Sequence, residues 1–397
     1  MENRHRGLVG AVVAAMLLSA VTWAQDEQWL QYRSSQDARS IRGGLGLQRI
    51  NLEKSRPADV TAPQFKDPKP IFGKWATPMA KAGFLWFALD RTKAKGPFDL
   101  LYIDSNGNGR LDDDAAVKPY RTESSEAQFG PVKVVLQGED GPVSFHLDFL
   151  VYISGDSTYC YVSAAGWYEG EALIDGVRPV HCVVLDYTAD GTFNDASLDP
   201  SKSDRVVIGD KEGAGDPLCL GRFVDVNGTL YELEVARDGA FVKLKRAQDV
   251  RFGQVRVPAG ISRMTMTGTN GQFRLTAQDQ VVRVPVGRYC MTEWAMDRKD
   301  DKGRLWTAQG RTGGVGDRWT LDVADGKEVA LDVGEPFLCR LTVSSTGANH
   351  SFRQELEGRL GESIALLVDK GNRPAPPKLG IRSRDATYDR TLNFAYG

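Results

Sequence analysis

Phe223-Val224-Asp225-Val226-Asn227-Gly228-Thr229-Leu230-Tyr231-Glu232-Leu233-Glu234-Val235 reads as a β-hairpin. Asn227-Gly228 supplies the two residues that best tolerate positive φ, as a two-residue turn between antiparallel strands requires. On both sides apolar residues alternate with polar ones, the period-two rhythm of a half-buried strand. The same rhythm continues downstream at residues 241–245, 252–257, 273–276 and 281–284. Upstream it appears in Phe84-Leu85-Trp86-Phe87-Ala88-Leu89, Phe98-Asp99-Leu100-Leu101-Tyr102-Ile103 and Val143-Ser144-Phe145-His146-Leu147-Asp148-Phe149. Turn residues such as Gly138-Glu139-Asp140-Gly141 separate the runs at hairpin spacing. Only 115–118 and 294–297 read as short helices. The chain is therefore expected to be all-β, with tandem β-sandwich modules (immunoglobulin-like or transthyretin-like) carrying calcium-loop insertions.

A chain of 397 residues exceeds what one core usually organises. The expected divisions are a signal peptide at 1–24, an extended lead-in at 25–70, and a β-rich domain with two calcium-type loops at 71–216. A β-sandwich-like domain at 217–326 and a C-terminal immunoglobulin-like domain at 327–397 follow. Four prolines punctuate the lead-in, where Leu45, Leu47 and Ile50 have the spacing of one short strand. The signal reading rests on Arg4, His5 and Arg6, then the apolar run from Leu8 to Ala20, then the small-residue break at Thr22-Trp23-Ala24. It implies a periplasmic or extracellular protein without a transmembrane anchor after cleavage. Fifty Lys and Arg balance 52 Asp and Glu, so no global charge favours a nucleic-acid partner. The five cysteines are widely spaced and odd in number, which leaves at least one thiol outside any disulfide.

The strongest chemical signal is Asp104-Ser105-Asn106-Gly107-Asn108-Gly109-Arg110-Leu111-Asp112-Asp113-Asp114, echoed 82 residues later by Asp186-Tyr187-Thr188-Ala189-Asp190-Gly191-Thr192-Phe193-Asn194-Asp195. Oxygen-bearing side chains at positions 1, 3 and 5, a glycine at 6 and a carbonyl at 7 are how a chain wraps a hard cation. Asp104, Asn106, Asn108 and the Arg110 carbonyl fill that ladder in the first loop. Asp186, Thr188, Asp190 and the Thr192 carbonyl fill it in the second. Position 12, where a bidentate glutamate is expected, is Ala115 in the first loop. A carboxylate at position 10, Asp113 or Asp195, stands in for it, and Asp199 or Asp204 lies close enough downstream to complete the second loop. Strand-like residues precede both loops, so a helix pair opening on Ca²⁺ is not expected. The alternative is an Asx turn held by its own backbone hydrogen bonds, with solvated acids.

Catalytic signals are sparse. The four histidines form no His-x-x-x-His pattern, and neither Gly-x-Ser-x-Gly nor Cys-x-x-Cys occurs. His181-Cys182 is a metal or nucleophile candidate, and Asp186 with Asp190, or Asp148 with Glu169, is a candidate glycosidase pair. Trp167-Tyr168, Trp294, Trp306 and Trp319 stand near turns or glycines, where exposed rings would stack on sugars. The two loops, Val284-Pro285-Val286-Gly287-Arg288-Tyr289, Arg373-Pro374-Ala375-Pro376-Pro377-Lys378-Leu379 and the end Phe394-Ala395-Tyr396-Gly397 carry a wider resemblance. The chain resembles uncharacterised exported multi-domain β-proteins of planctomycete-type bacteria, and its first loop is similar to the calcium loops of dockerins and EF-hands. That resemblance implies an exported calcium-loop β-protein. The expected role is an exported calcium-binding structural or interaction protein of the cell envelope, non-enzymatic, with Ca²⁺ serving stability. Its expected partner is an envelope polysaccharide or protein. The alternative is a carbohydrate-binding or cell-surface adhesion module, and behind it a hydrolase.

Overall fold

The computed structural model describes residues 27–35, 46–93, 96–209, 216–369 and 371–396. The signal segment and Leu45 lie outside the described residues. Within them all regular structure is β except two three-residue 3-10 turns, Pro200–Lys202 and Asp317–Trp319. Neither expected helix forms. Val117 bridges to Leu101, and 294–297 lies inside the strand Gly287–Lys299, antiparallel to both Ile261–Gly268 and Leu305–Arg311. Trp294, Ala295 and Met296 are all buried there. A short run buried on both faces has no strand period, so only its neighbours settle its conformation.

The described residues form two compact units divided between Gln248 and Asp249. The division expected at 217 falls inside the first unit, because the opening hairpin does not found a separate core. Its strands Phe223–Val226 and Thr229–Val235 form as read, with φ of 54° at Asn227 and 81° at Gly228. They continue into Phe241–Arg246, which pairs at the sheet edge with Gln28–Trp29. Val224, Val226, Tyr231, Leu233 and Val242 then join one buried cluster with Trp75, Phe145 and Val184.

The spine of this unit is a long antiparallel pair, Glu126–Gly138 with Gly141–Ser154, extended by Ser157–Ala164. Segments of the lead-in are woven into the sheets instead of crossing the surface. Gln31–Ser34 pairs with Gly166–Ile174, Leu47–Ile50 with Ser157–Ala164, and Leu52–Glu53 with Ile71–Ala76. Aromatic rings fill the space between sheets: Trp75 stacks on Phe145 at 5.9 Å, Phe87 meets Phe149 edge-on at 5.2 Å, and Tyr168 meets Phe193 at 5.1 Å. Such pairs add about 0.5–1.5 kcal/mol each beyond their burial.

The second unit is built on an eight-stranded sheet, with a three-stranded sheet of Val281–Pro285, Phe252–Arg256 and Glu328–Ala330. Trp294 is buried beside Gly310, where an added Cβ would stand 2.1 Å from the indole. Its Nε1 donates to Glu362 Oε1 at 3.2 Å, and the same oxygen accepts from Gly334 N at 2.7 Å. None of the five cysteines forms a disulfide; four are buried and Cys339 is exposed.

Two outcomes are expected. Phe149→Ala removes a fully buried ring from the first unit and costs about 3–5 kcal/mol, read as a lowered midpoint in the denaturant transition of that unit. Asp148 sits at the register shift opposite Phe129 and Val132, its Oδ1 buried without a hydrogen-bond partner among the described residues. Burial pushes its pKa up from 3.8 to about 6. A folded-state pKa above the unfolded one favours folding below about pH 4, and that contribution is lost as pH rises through about 6. Asp148→Asn is therefore neutral at pH 4 and stabilising at pH 7 relative to the parent, checked by thermal melts at the two pH values.

Candidate metal centre

Both loops leave a strand and turn at a buried aspartate. Asp104, 3% exposed, follows Leu100–Ile103, and Asp186, 0% exposed, follows Arg178–Leu185. In the first loop Asp104 accepts from Asn108 N at 2.9 Å and Gly109 N at 2.8 Å. In the second Asp186 accepts from Asp190 N at 3.3 Å and Gly191 N at 2.7 Å. Position 5 then accepts from the amide of position 7: Asn108 Oδ1 from Arg110 N and Asp190 Oδ1 from Thr192 N, both at 2.9 Å. Positive φ also recurs in register, at Gly107 and Ala189 in position 4 (73° and 56°) and at Gly109 and Gly191 in position 6 (79° and 89°). Left-handed backbone at position 6 is what glycine supplies, and at Gly191 a Cβ would also meet Leu136 at 2.7 Å. The two loops share one backbone design, which the looser sequence match only outlined.

The position-10 acids turn back toward the ladder in both copies. Asp113 Oδ2 accepts from Asn108 Nδ2 at 2.7 Å. Asp195 Oδ2 accepts from the Thr188 and Thr192 hydroxyls at 3.1 and 3.3 Å. Asn106 Oδ1 faces Asn108 N at 3.1 Å, so all the first-loop side chains named from sequence gather except that of Arg110, which pairs with Asp112 at 2.9 Å. Of the two downstream acids, Asp204 joins the second loop: its Oδ1 accepts from Tyr187 N at 2.9 Å and its Oδ2 from Asp195 N at 2.8 Å. Asp199 instead caps the turn Pro200–Lys202.

The second loop is anchored in the core. The Ala189 carbonyl accepts from Trp75 Nε1 at 2.7 Å and from Gln48 Nε2 at 2.9 Å. The first is held at its edge, where Gly109 O and Leu111 N bond to Thr61 and Leu111 is fully buried. Neither Trp75, Gln48 nor Thr61 carries a motif, and their roles come from tertiary packing alone.

Electrostatics separate the two loops. Burial, then the neighbouring Asp190, pushes Asp186 up to about 8. Burial, then Asp186, raises Asp204 well above the carboxylate range. Burial, then Asp190, raises Asp195 as well. Among the described residues no Lys, Arg or His forms an ion pair with any of these four acids, whereas the buried Asp67 has Arg91. In the first loop burial raises Asp104, while the Asn108 hydrogen bond leads in holding Asp113 below its ordinary value.

Among the described residues no three His, Cys, Asp or Glu side chains group closely enough to hold an ion by themselves. The donor set is instead mixed: carboxylate, amide, hydroxyl and carbonyl oxygens, the hard ligands that Ca²⁺ takes at six to eight positions. The one proton of the Thr188 hydroxyl is shared between Asp186 and Asp195, and that of Thr192 between Asp190 and Asp195, and each oxygen keeps lone pairs for a cation.

Other sequence candidates do not gather. Asp148 and Glu169 lie in separate sheets. His181 Nε2 stands 3.6 Å from Glu169 Oε1, and burial pushes the Cys182 thiol up to about 12. Trp167 and Trp294 are buried, Trp306 donates to Asp300, and Trp319 donates to Gly314 O. Among the described residues no helix is long and apolar enough to cross a membrane. No family model matches the chain, and neither the curated proteins nor the solved structures contain a match to it.

Proposed function

We propose that this is an exported calcium-binding structural or interaction protein of the cell envelope, whose first unit is stabilised by Ca²⁺ at the loops headed by Asp104 and Asp186. The observation that carries this reading is the second loop: four carboxylates, Asp186 and Asp204 fully buried, without an ion-paired base among the described residues. Burial and mutual repulsion favour holding protons or taking a cation there, against the amides donated to Asp186 and Asp204 and the Arg237 charge near Asp195. Asp186, Thr188, Asp190, the Thr192 carbonyl and Asp195 would hold the ion, with Asp204 fixing the loop ends from behind. Asp104, Asn106, Asn108, the Arg110 carbonyl and Asp113 would hold the other. Export is supported by the basic and then apolar start of the chain, and extracellular Ca²⁺ levels keep even weak sites filled.

A second reading, contact with an envelope polysaccharide, has one supporting observation. A groove of about 500 Å³ on the first unit is lined by Trp29, Arg33, Glu169, Glu171 and His181. Trp29 is 63% exposed, the surface a sugar ring stacks on.

The calcium reading is tested by melting the protein with Ca²⁺ and with chelator. Ca²⁺ at a hundredfold excess over its dissociation constant stabilises the first unit by about 2.7 kcal/mol for each filled site, a rise of roughly 5–10 °C per site. Asp186→Asn removes one charge and one acceptor oxygen, so only one of the Asp190 and Gly191 amides keeps its partner. It loses the second loop's share of the rise with Ca²⁺, and the first loop's share remains. Identical melts of the parent in both conditions contradict the proposal.

A further inference from the structure

The strand Leu338–Thr346 stands at the end of the strand order in the eight-stranded sheet, paired on one side with Asn349–Glu357. All nine of its residues are exposed. An exposed edge of this kind offers a row of backbone donors and acceptors to another chain, and proteins usually blunt it with Pro, Lys, a bulge or brevity. None of these devices is present. The strand contains neither Pro nor Lys, and its register runs unbroken from Leu338 opposite Glu357 to Thr346 opposite Asn349. Cys339, Leu341 and Val343 share one face by the period of two, and Leu341 and Val343 are 49% and 52% exposed.

The charges of the strand favour a copy of itself. Its only charged residue, Arg340, is already engaged by Glu357 through bonds of 3.1 and 2.9 Å. We infer that this edge pairs with the same strand of a second copy, antiparallel about a two-fold axis at Leu341. In that register Leu341 faces Leu341 of the partner copy, and Cys339 faces Val343. Arg340 faces Thr342, and Leu338 faces Ser344. Directly opposed residues share a face, so the three apolar side chains of each copy meet three apolar ones. Moving the axis to Arg340 would oppose two guanidinium groups, and moving it to Thr342 would set Cys339 against Ser345. The two-fold operation is closed, which limits the assembly at this edge to a dimer.

Sedimentation velocity of the intact protein at micromolar concentration tests this, with Leu341→Lys beside it. The parent sediments as a dimer and the variant as a monomer with the same circular dichroism spectrum, because Leu341 is exposed and the substitution opposes two ammonium groups only across the axis. In case the lysine variant does not fold, Leu341→Cys in a Cys339→Ser background is oxidised gently and forms a disulfide-linked dimer across the axis. A monomeric parent overturns the inference, including one in which the chain's own hairpin, Lys378–Arg382 with Asp389–Asn393, covers the edge. A dimer indifferent to Leu341→Lys overturns it too, as does a cross-link that forms through Thr342→Cys and not through Leu341→Cys.

Discussion

The buried carboxylate of Asp186 is the interaction on which the first unit depends. It closes the second loop by accepting the amides of Asp190 and Gly191, and the closed loop delivers the Ala189 carbonyl to Trp75. Trp75 in turn stacks on Phe145, which meets Phe193 of the same loop at 6.0 Å. The loop and the aromatic core are therefore one packing unit. A carboxylate in that position is costly to keep charged, since desolvation works against it and Asp190 and Asp204 add like charge. The fold gains its geometry from an acid that it cannot leave ionised and unpaired.

That tension gives the repeat its meaning. The first loop uses the same head aspartate and the same positive-φ positions at the edge of the unit, where Arg110 supplies partial compensation to Asp112 and Asp113. The second copy is deeper, with Asp186 and Asp204 both fully buried, and among the described residues its one compensating arginine, Arg237, acts on Asp195 without forming an ion pair. A divalent ion at each proposed site would neutralise more buried charge in the second loop than in the first, and the two sites would then couple to folding to different degrees. In this account Ca²⁺ acts on stability and not as a switch, because strands rather than helices lead into both loops.

Much of this was legible in the residues. Asn227-Gly228 fixed its hairpin because local turn chemistry decides a two-residue connection. The alternation in 143–149 identified a strand with one buried face, and the oxygen ladder picked out two loops that share buried head aspartates and positive φ at positions 4 and 6. What escaped the sequence was tertiary. Phe223–Val226 and its neighbours read as the start of a new module, yet their apolar face completes the core of the preceding one. Residues 294–296 lack strand period because all three are buried, so both faces of the strand are covered there. Trp167 and Trp294 carry no sign of burial in their flanking residues, and only the sheets packed over them enclose them. Asp204 was one of two acids within reach of the second loop. The difference is that Asp199 is consumed as the cap of Pro200–Lys202, a local role that competes with the distant one.

Isothermal titration of Ca²⁺ into the chelator-stripped protein tests the central claim most directly. The account requires two ions per chain, falling to one in Asp104→Ala and to one in Asp186→Ala. Absence of Ca²⁺ uptake by the folded parent would contradict it, as would an unchanged stoichiometry in both variants.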